Sequence, residues 1–102
     1  MDKVEALKSV TRFSDALRTI FDPVMVVLYG SYAKGTQTSL SDIDVAVIVD
    51  NVKGDFLDKE AQLYRLRREI DDRIEPILLE IDCDRSGFLH TVINTGEIVY
   101  KR

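Results

Sequence analysis

The beginning of the chain has an apolar residue at every third or fourth position, with charged and polar residues between them. This spacing predicts an amphipathic helix over residues 4–20. Pro23 is expected to keep the chain from continuing as a helix, because the residue before a proline is disfavoured in the helical conformation. A second stripe of the same period predicts a helix over residues 57–72. Ser86 is expected to cap a short helix over residues 87–95.

Short runs rich in β-branched and other apolar residues lie between and after these helices. They are typical of strands in a small buried sheet and predict strands at residues 24–29, 44–49 and 74–81, with a short final strand at 97–100. Pro76 has no N–H to donate to a sheet ladder, which predicts an edge position or an irregular start for the third strand. The sequence therefore predicts an α/β (α+β) fold, with a small mixed β-sheet covered by helices.

Length and composition narrow the class of protein. The 102 residues are expected to form one domain over residues 1–102, with 45% hydrophobic and 31% charged residues, as in ordinary globular proteins. A net charge of −4 argues against broad electrostatic binding of nucleic acid. No apolar run approaches the ~20 residues of a membrane span, and the charged N-terminal segment is unlike a signal peptide. With Cys83 as the single cysteine, no intrachain disulfide can form, which fits a cytoplasmic protein.

Two carboxylates stand where the second strand is expected to begin, at Asp42 and Asp44. In an extended chain their side chains point to the same face, with Cα atoms ~6.5–7 Å apart. Such a pair repels unless a cation lies between the two carboxylates, and Mg²⁺ is a hard ion that takes oxygen ligands. The pair therefore fits metal-assisted phosphoryl chemistry, although two solvated aspartates at a strand end are the alternative.

The loop before this pair has the composition of a phosphate-binding turn. Gly30 follows an apolar strand directly, and glycine lets a backbone approach a phosphate closely. Ser31 offers an N–H and a hydroxyl, Lys34 adds a cation and Gly35 closes the loop. The Lys-Ser/Thr pair of a P-loop is missing after Gly35, so that motif is excluded. A plain turn remains the alternative interpretation.

Taken together, "GSYAKG" and "SDID" followed by an apolar strand resemble the signature of the DNA polymerase β-like nucleotidyltransferase superfamily. The resemblance is strongest to its minimal nucleotidyltransferases, the MntA-like antitoxins, which commonly occur beside a HEPN-domain toxin. The motif covers residues 30–49, and the order of elements extends the match over most of the chain. The resemblance implies a polymerase β-like palm, Mg²⁺ and ATP or another NTP, and transfer of AMP to a tyrosine of the partner toxin.

The resemblance also implies a nucleotide-binding set. Gly30 and Ser31 match the residues that bind the nucleotide phosphates. Lys34, at a position where arginine is also common, belongs to the same predicted set, together with Gly35 and Ser41.

The implied catalytic and metal-binding residues are three carboxylates. Asp42 and Asp44 match the metal ligands, and Glu75 is the best match for a third acid that the family places on the next long strand. Glutamate is longer than the usual aspartate, and the proline that follows it departs from the family pattern. This departure puts catalysis in question more than it does binding of metal or nucleotide.

Three functions from different classes follow from these observations. The first is an active nucleotidyltransferase that serves as an antitoxin, and the second is a catalytically weak or inactive module that neutralises a partner by contact. The third is a regulatory nucleotide-binding domain, and homo-oligomers are left open for all three. Arg65, Arg67 and Arg68 of the long helix are expected to form a solvated basic face, with contact to a partner or a phosphate as the alternative. Tyr32 is expected either to stack on a base or to cover the core.

Overall fold

The computed structural model describes residues 2–102, which form one four-stranded sheet and four helices. In chain order the elements are α1 (Lys3–Leu17), β1 (Met25–Tyr29), α2 (Ser31–Lys34), β2 (Ile43–Val49), α3 (Phe56–Ile70), β3 (Ile74–Glu80), α4 (Phe88–Thr95) and β4 (Glu97–Lys101).

The sheet has the strand order β3-β2-β1-β4 and is mixed, as the sequence predicts. Strand β1 pairs antiparallel with both β2 and β4, whereas β2 and β3 are parallel. A parallel pair needs a long crossover between its strands, and α3 provides it. The N-terminal ends of β2 and β3 therefore meet at one end of the sheet, together with the C-terminal end of β1.

Strand β3 lies at the edge of the sheet, which confirms the position predicted from Pro76. The N–H of Ile81 donates to the carbonyl of Val49 at 2.8 Å. Because such bonds alternate along a strand, the nitrogen of Pro76 points away from β2 and its missing hydrogen costs no ladder bond. The N–H of Leu78 points the same way and donates to Glu60 of α3 at 3.4 Å.

Local hydrogen bonds make α1 shorter than its apolar pattern predicts. The helix begins at Lys3 because the side chain of Asp2 accepts a bond from the Glu5 N–H at 2.9 Å. It ends at Leu17, and the next residues form a tighter turn in which the Ile20 N–H donates to the Leu17 carbonyl at 3.0 Å. Ile20 is 56% exposed, so it extends the apolar period without belonging to the core.

The other helices also begin or end differently from the prediction. Helix α3 begins one residue earlier, where Asp55 caps it, and ends at Ile70 because Asp71 is extended (φ −163°). At α4 the main cap is Asp84, whose carboxylate accepts bonds from two backbone N–H groups at 2.9 and 3.0 Å. The predicted cap, Ser86, accepts only a longer bond of 3.3 Å from the Phe88 N–H.

The two faces of the sheet are covered unequally. Helices α1 and α3 pack on one face, where side chains such as Phe13, Val45 and Leu63 are fully buried. Of the helices in residues 2–102, the opposite face carries only the eight-residue α4, which covers the middle of β1 and β2 around Val27 and Ala46. Strand β2 is thus buried on both faces, as its apolar run predicts, except where its first residues extend beyond α4. No helix of residues 2–102 has the length and apolar character needed to cross a bilayer.

Candidate active site

The open end of the α4 face carries a row of polar side chains that crosses three strands. Asp44 is the cross-strand partner of Tyr29 in β1 and of Glu75 in β3. Partners in register point to the same face, and neighbouring strands lie ~4.8 Å apart. The structure therefore brings Glu75, predicted as the third acid, beside Asp44 on the same face of the sheet.

Asp42 precedes β2 by one residue and is exposed, whereas Asp44 is half-buried. The pKa of Asp44 is raised above its ordinary value, first because burial disfavours the charged form. The negative charges of Asp42 and Glu75 raise it further. The three predicted carboxylates thus lie within one electrostatic environment, and none of the described residues 2–102 donates a hydrogen bond to the side chain of Asp42 or Asp44.

Gly30 lies directly against the side chain of Asp44. A Cβ at position 30 would collide with the Asp44 carboxylate, with Cγ at 3.2 Å and Cβ at 3.3 Å. Gly30 also has a φ of 74°, in the region that favours glycine. The collision and the positive φ both explain why glycine occupies position 30. The contact also places the predicted phosphate-binding loop directly beside Asp44, the predicted metal ligand.

The rest of the predicted nucleotide-binding set lies around this contact. Ser31 begins α2, whose first N–H groups have no acceptor inside the helix. Lys34 is exposed at the end of α2, and Gly35 (φ 75°) closes it by donating to the Ser31 carbonyl. Ser41 accepts a bond from the Thr38 N–H at 2.9 Å and closes a turn just before the acidic pair. The loop is therefore more ordered than a plain turn, with one helical turn inside it.

Glu75 is held from α3. Its Oε1 lies 3.3 Å from Nη1 of Arg67, and its Oε2 accepts a bond from the Tyr64 hydroxyl at 3.4 Å. The Arg67 guanidinium also lies 4.8 Å from the centre of the Tyr64 ring. The prediction that Arg67 belongs to a solvated face is wrong, because this arginine is half-buried, whereas Arg65 and Arg68 are exposed.

The donor chemistry of Asp42 and Asp44 fits a Mg²⁺ ion. Both offer hard oxygen ligands. They repel each other, and no basic side chain among residues 2–102 forms an ion pair with either of them. Glu75 does not complete the set in its present position, since no three histidine, cysteine or carboxylate side chains of residues 2–102 are gathered closely enough to hold a metal ion. It would have to leave Tyr64 and Arg67 to join the aspartates.

Tyr29 is a member of the row that the sequence analysis did not single out. Burial, followed by the charge of Asp44 and the neighbouring Tyr64 and Glu75, raises its pKa to about 12. The phenol therefore stays protonated at neutral pH and remains a hydrogen-bond donor. Its ring packs edge-on against Phe88 of α4, with centroids 5.7 Å apart. Its position just before the glycine loop, in register with the acids, was the signal that could have identified it.

Two other aromatic or cavity features lie outside this site. Tyr32 is only 2% exposed and fills the core under α2, so its interpretation as a core residue is correct and stacking on a base is excluded. A cavity of 340 Å³ lies at the opposite end of β2, between Val49, Lys53 and Leu78. None of the three carboxylates lines this cavity, so the cavity is separate from the candidate active site.

The raised pKa of Asp44 makes a prediction about folding stability. The native state holds a proton on this carboxyl at a higher pH than the unfolded chain does. The stability that Asp44 contributes is therefore fully present below about pH 4, its pKa in the unfolded chain. It decreases as the pH rises through the pKa of Asp44 in the folded state. We expect Asp44→Asn to raise the free energy of unfolding of the metal-free protein at pH 7 and to leave it unchanged below about pH 4. Urea unfolding at both pH values measures this, and a loss of stability at pH 7 would mean that Asp44 supports the fold.

The fold agrees with comparisons to known proteins. A family model described as "Polymerase beta, Nucleotidyltransferase" matches residues 12–102, and the chain belongs to this family of nucleotidyltransferases. The protein named "Putative protein adenylyltransferase MJ1305", from Methanocaldococcus jannaschii, is 36% identical over 63 residues, which cover 58% of this chain and 43% of that protein. The chain thus spans less than half the length of this relative.

Solved structures confirm the predicted fold. A protein from Sulfolobus solfataricus described as a "putative nucleotidyltransferase" has a TM-score of 0.73 and 22% identity, covering 98% of this chain and 84% of its own. A toxin–antitoxin solved with AMP-PNP has a TM-score of 0.68 and 23% identity, covering 94% and 73%. A mutant of the toxin–antitoxin MntA-HpeT has a TM-score of 0.62 and 19% identity, covering 100% and 75%. The resemblance to MntA-like minimal nucleotidyltransferases therefore holds at the level of the fold.

Proposed function

We propose that this chain is a minimal nucleotidyltransferase that transfers AMP from ATP to a hydroxyl group of a partner toxin with a HEPN-type domain, and so acts as an antitoxin in the cytoplasm. The observation that carries the proposal is the row in which Asp44 lies against Gly30 and beside Glu75. This arrangement sets acidic side chains next to a loop with free N–H groups. The relative named as a protein adenylyltransferase and the toxin–antitoxin structure with AMP-PNP support the choice of AMP and of a protein acceptor.

In this function Asp42 and Asp44 would hold Mg²⁺, which when bound offsets the charge of the triphosphate. Ser31 and the first N–H groups of α2 bind phosphate oxygens, and Gly30 lets the backbone approach them without a Cβ in the way. Lys34 stands at the rim as a cation for the leaving pyrophosphate. The acceptor hydroxyl attacks the α-phosphorus, its proton passes to a carboxylate of the row, and the bond to pyrophosphate breaks.

The open end of the sheet favours an acceptor that belongs to a macromolecule. Only α4 covers this face, and the acids lie beyond it, so no wall of residues 2–102 encloses a small acceptor. Leu40, two residues before Asp42 in the loop that leads to β2, is 92% exposed and adds apolar surface to this loop. A protein docked on this end would bring its own hydroxyl and exclude water from the row.

The experiment is to incubate the chain with its neighbouring gene product, labelled ATP and Mg²⁺, and to locate label on that product by mass spectrometry. We expect one AMP on a hydroxyl side chain, and none when EDTA removes the metal. An unmodified partner, together with rapid adenylylation of free small molecules, would contradict the proposal.

One observation favours a second function, in which the chain binds and neutralises its partner without catalysis. Glu75, the third acid, has both carboxylate oxygens engaged by Arg67 and Tyr64. If Glu75 never leaves these contacts, the site keeps two aspartates only. The labelling experiment separates the two functions, because contact alone would protect cells from the toxin while leaving it unlabelled.

A further inference from the structure

We propose that Arg67 and Tyr64 are positioning residues that hold Glu75 away from the Asp42–Asp44 pair, so that binding of a divalent metal must displace Glu75 from α3. This inference rests on the proposed function, since it concerns the metal that nucleotidyl transfer would use. It assigns a role to two residues of α3 that no part of the family signature in the sequence contains.

The geometry of Glu75 supports this role. Its backbone stands in register with Asp44, so the carboxylate starts from a position beside the acidic pair. The side chain instead reaches α3, where Arg67 takes one oxygen and Tyr64 the other. Among residues 2–102 no three acidic side chains are gathered around a common point. A glutamate side chain is long enough to reach either α3 or the aspartate pair.

Arg67 is fixed in place independently of Glu75. Its Nη1 donates to the backbone carbonyl of Asp72, in the turn after α3, and to that of Ile74, the first residue of β3, each at 2.9 Å. Its contact with the Tyr64 ring adds a second constraint. The guanidinium is therefore a stationary cation at the start of β3, and Glu75 is the mobile member of the pair.

The contacts are of a strength that a divalent ion can overcome. Distances of 3.3 and 3.4 Å are longer than the usual 2.7–3.0 Å of strong hydrogen bonds, so each contact is weak. Asp42 and Asp44 repel Glu75 while no cation is present, and a metal between them reverses that repulsion into attraction. The same electrostatics that holds Glu75 on α3 in the metal-free protein thus draws it to the pair when metal is bound.

A double-mutant cycle on Mn²⁺ binding tests this, using the whole chain and isothermal titration without nucleotide or partner. We expect Arg67→Met to tighten Mn²⁺ binding by about tenfold, because Glu75 is released to the aspartates. Glu75→Gln alone should weaken Mn²⁺ binding, because the bound state loses its third carboxylate, and it should abolish the tenfold gain in the Arg67→Met background. Arg68→Met, which removes an exposed charge one residue along the helix, is the matched control and should have little effect.

The cycle separates release of Glu75 from the simple loss of a positive charge. A gain in Mn²⁺ affinity that persists in the double variant would come only from the loss of electrostatic repulsion between Arg67 and the metal ion. That result would overturn the proposal, as would no gain or weaker binding in Arg67→Met. Should Arg67→Met fail to fold, Tyr64→Phe removes one contact only and should give a smaller gain, also dependent on Glu75. If Mn²⁺ binding requires Asp44 but the effects of Arg67→Met and Glu75→Gln on the affinity are simply additive, this inference alone is overturned. A complete lack of Mn²⁺ binding in every variant overturns it together with metal-dependent nucleotidyl transfer.

Discussion

Replacement of Asp44 by asparagine is expected to lower the rate of AMP transfer by about 100-fold or more. A metal that neutralises developing charge on a phosphoryl group contributes several kcal/mol, and each ~1.4 kcal/mol is a factor of ten in rate. Asp44 is central to the row, because it touches Gly30 and lies between Tyr29 and Glu75. The amide keeps the size of the side chain but not the charge. The rate of AMP incorporation into the partner, with Mg²⁺ and excess ATP, measures the effect.

The matched control for this variant is Asp82→Asn, which makes the same change from carboxylate to amide at an exposed position after β3. It should transfer AMP at the wild-type rate. Both variants should keep the wild-type circular dichroism spectrum, since none of residues 2–102 donates a hydrogen bond to the Asp44 side chain. Equal rates for Asp44→Asn and the wild type would remove this carboxylate from the chemistry and with it the proposed metal site.

Replacement of Gly96 by alanine is expected to cost about 3 kcal/mol of stability, at the upper end of the usual range for overpacking. An alanine Cβ there would lie 2.5 Å from Cγ1 of Val27, 2.6 Å from the Val92 carbonyl oxygen and 2.8 Å from the Leu28 carbonyl oxygen. Two of these atoms are backbone and cannot turn aside. The backbone at Gly96 is itself extended (φ −85°, ψ 178°), so alanine suffers from the contacts and not from its conformation.

Gly54→Ala provides the complementary control for Gly96. Gly54 has a φ of 87°, which alanine adopts only at a cost of roughly 1–2 kcal/mol, but a Cβ there meets no atom within 4 Å. Urea midpoints at constant slope give both values. If Gly54→Ala proved the more damaging, the close packing of α4 and β4 onto β1 around Gly96 would be looser than described.

Sequence patterns predicted most of the fold because each strand and long helix is decided by nearby residues. The apolar run of β2 identified a strand buried on both faces, and the missing N–H of Pro76 identified the edge. Helix ends were less predictable, since Ile20 continues the apolar period after the hydrogen bonds have tightened into a turn. Asp84 was not recognised as the cap of α4 because it stands three residues before the helix's N-cap residue.

The candidate site, like the fold, contains some residues that could be predicted from the sequence and others that could not. Gly30, Asp42 and Asp44 could be proposed as site residues because a local motif contains them, and the parallel pairing brings Glu75, the proposed third acid, into register with Asp44. Arg67 and Tyr64 were missed as neighbours of Glu75. They reach it from another element, and the rotation of α3 about its own axis is decided by packing against the sheet rather than by any short pattern.

The register of β2 with its neighbours decides whether a misaligned strand could be detected by metal binding. Side chains alternate between the faces of a strand, so a slip of one residue would move Asp44 from beside Gly30 into the core under α1 and α3 and bring a valine or isoleucine to the surface. No partially correct alignment keeps both the apolar core and the acidic row. Metal binding by this chain would therefore report on strand alignment, and a population of molecules could be counted as correctly paired by the fraction that binds Mn²⁺.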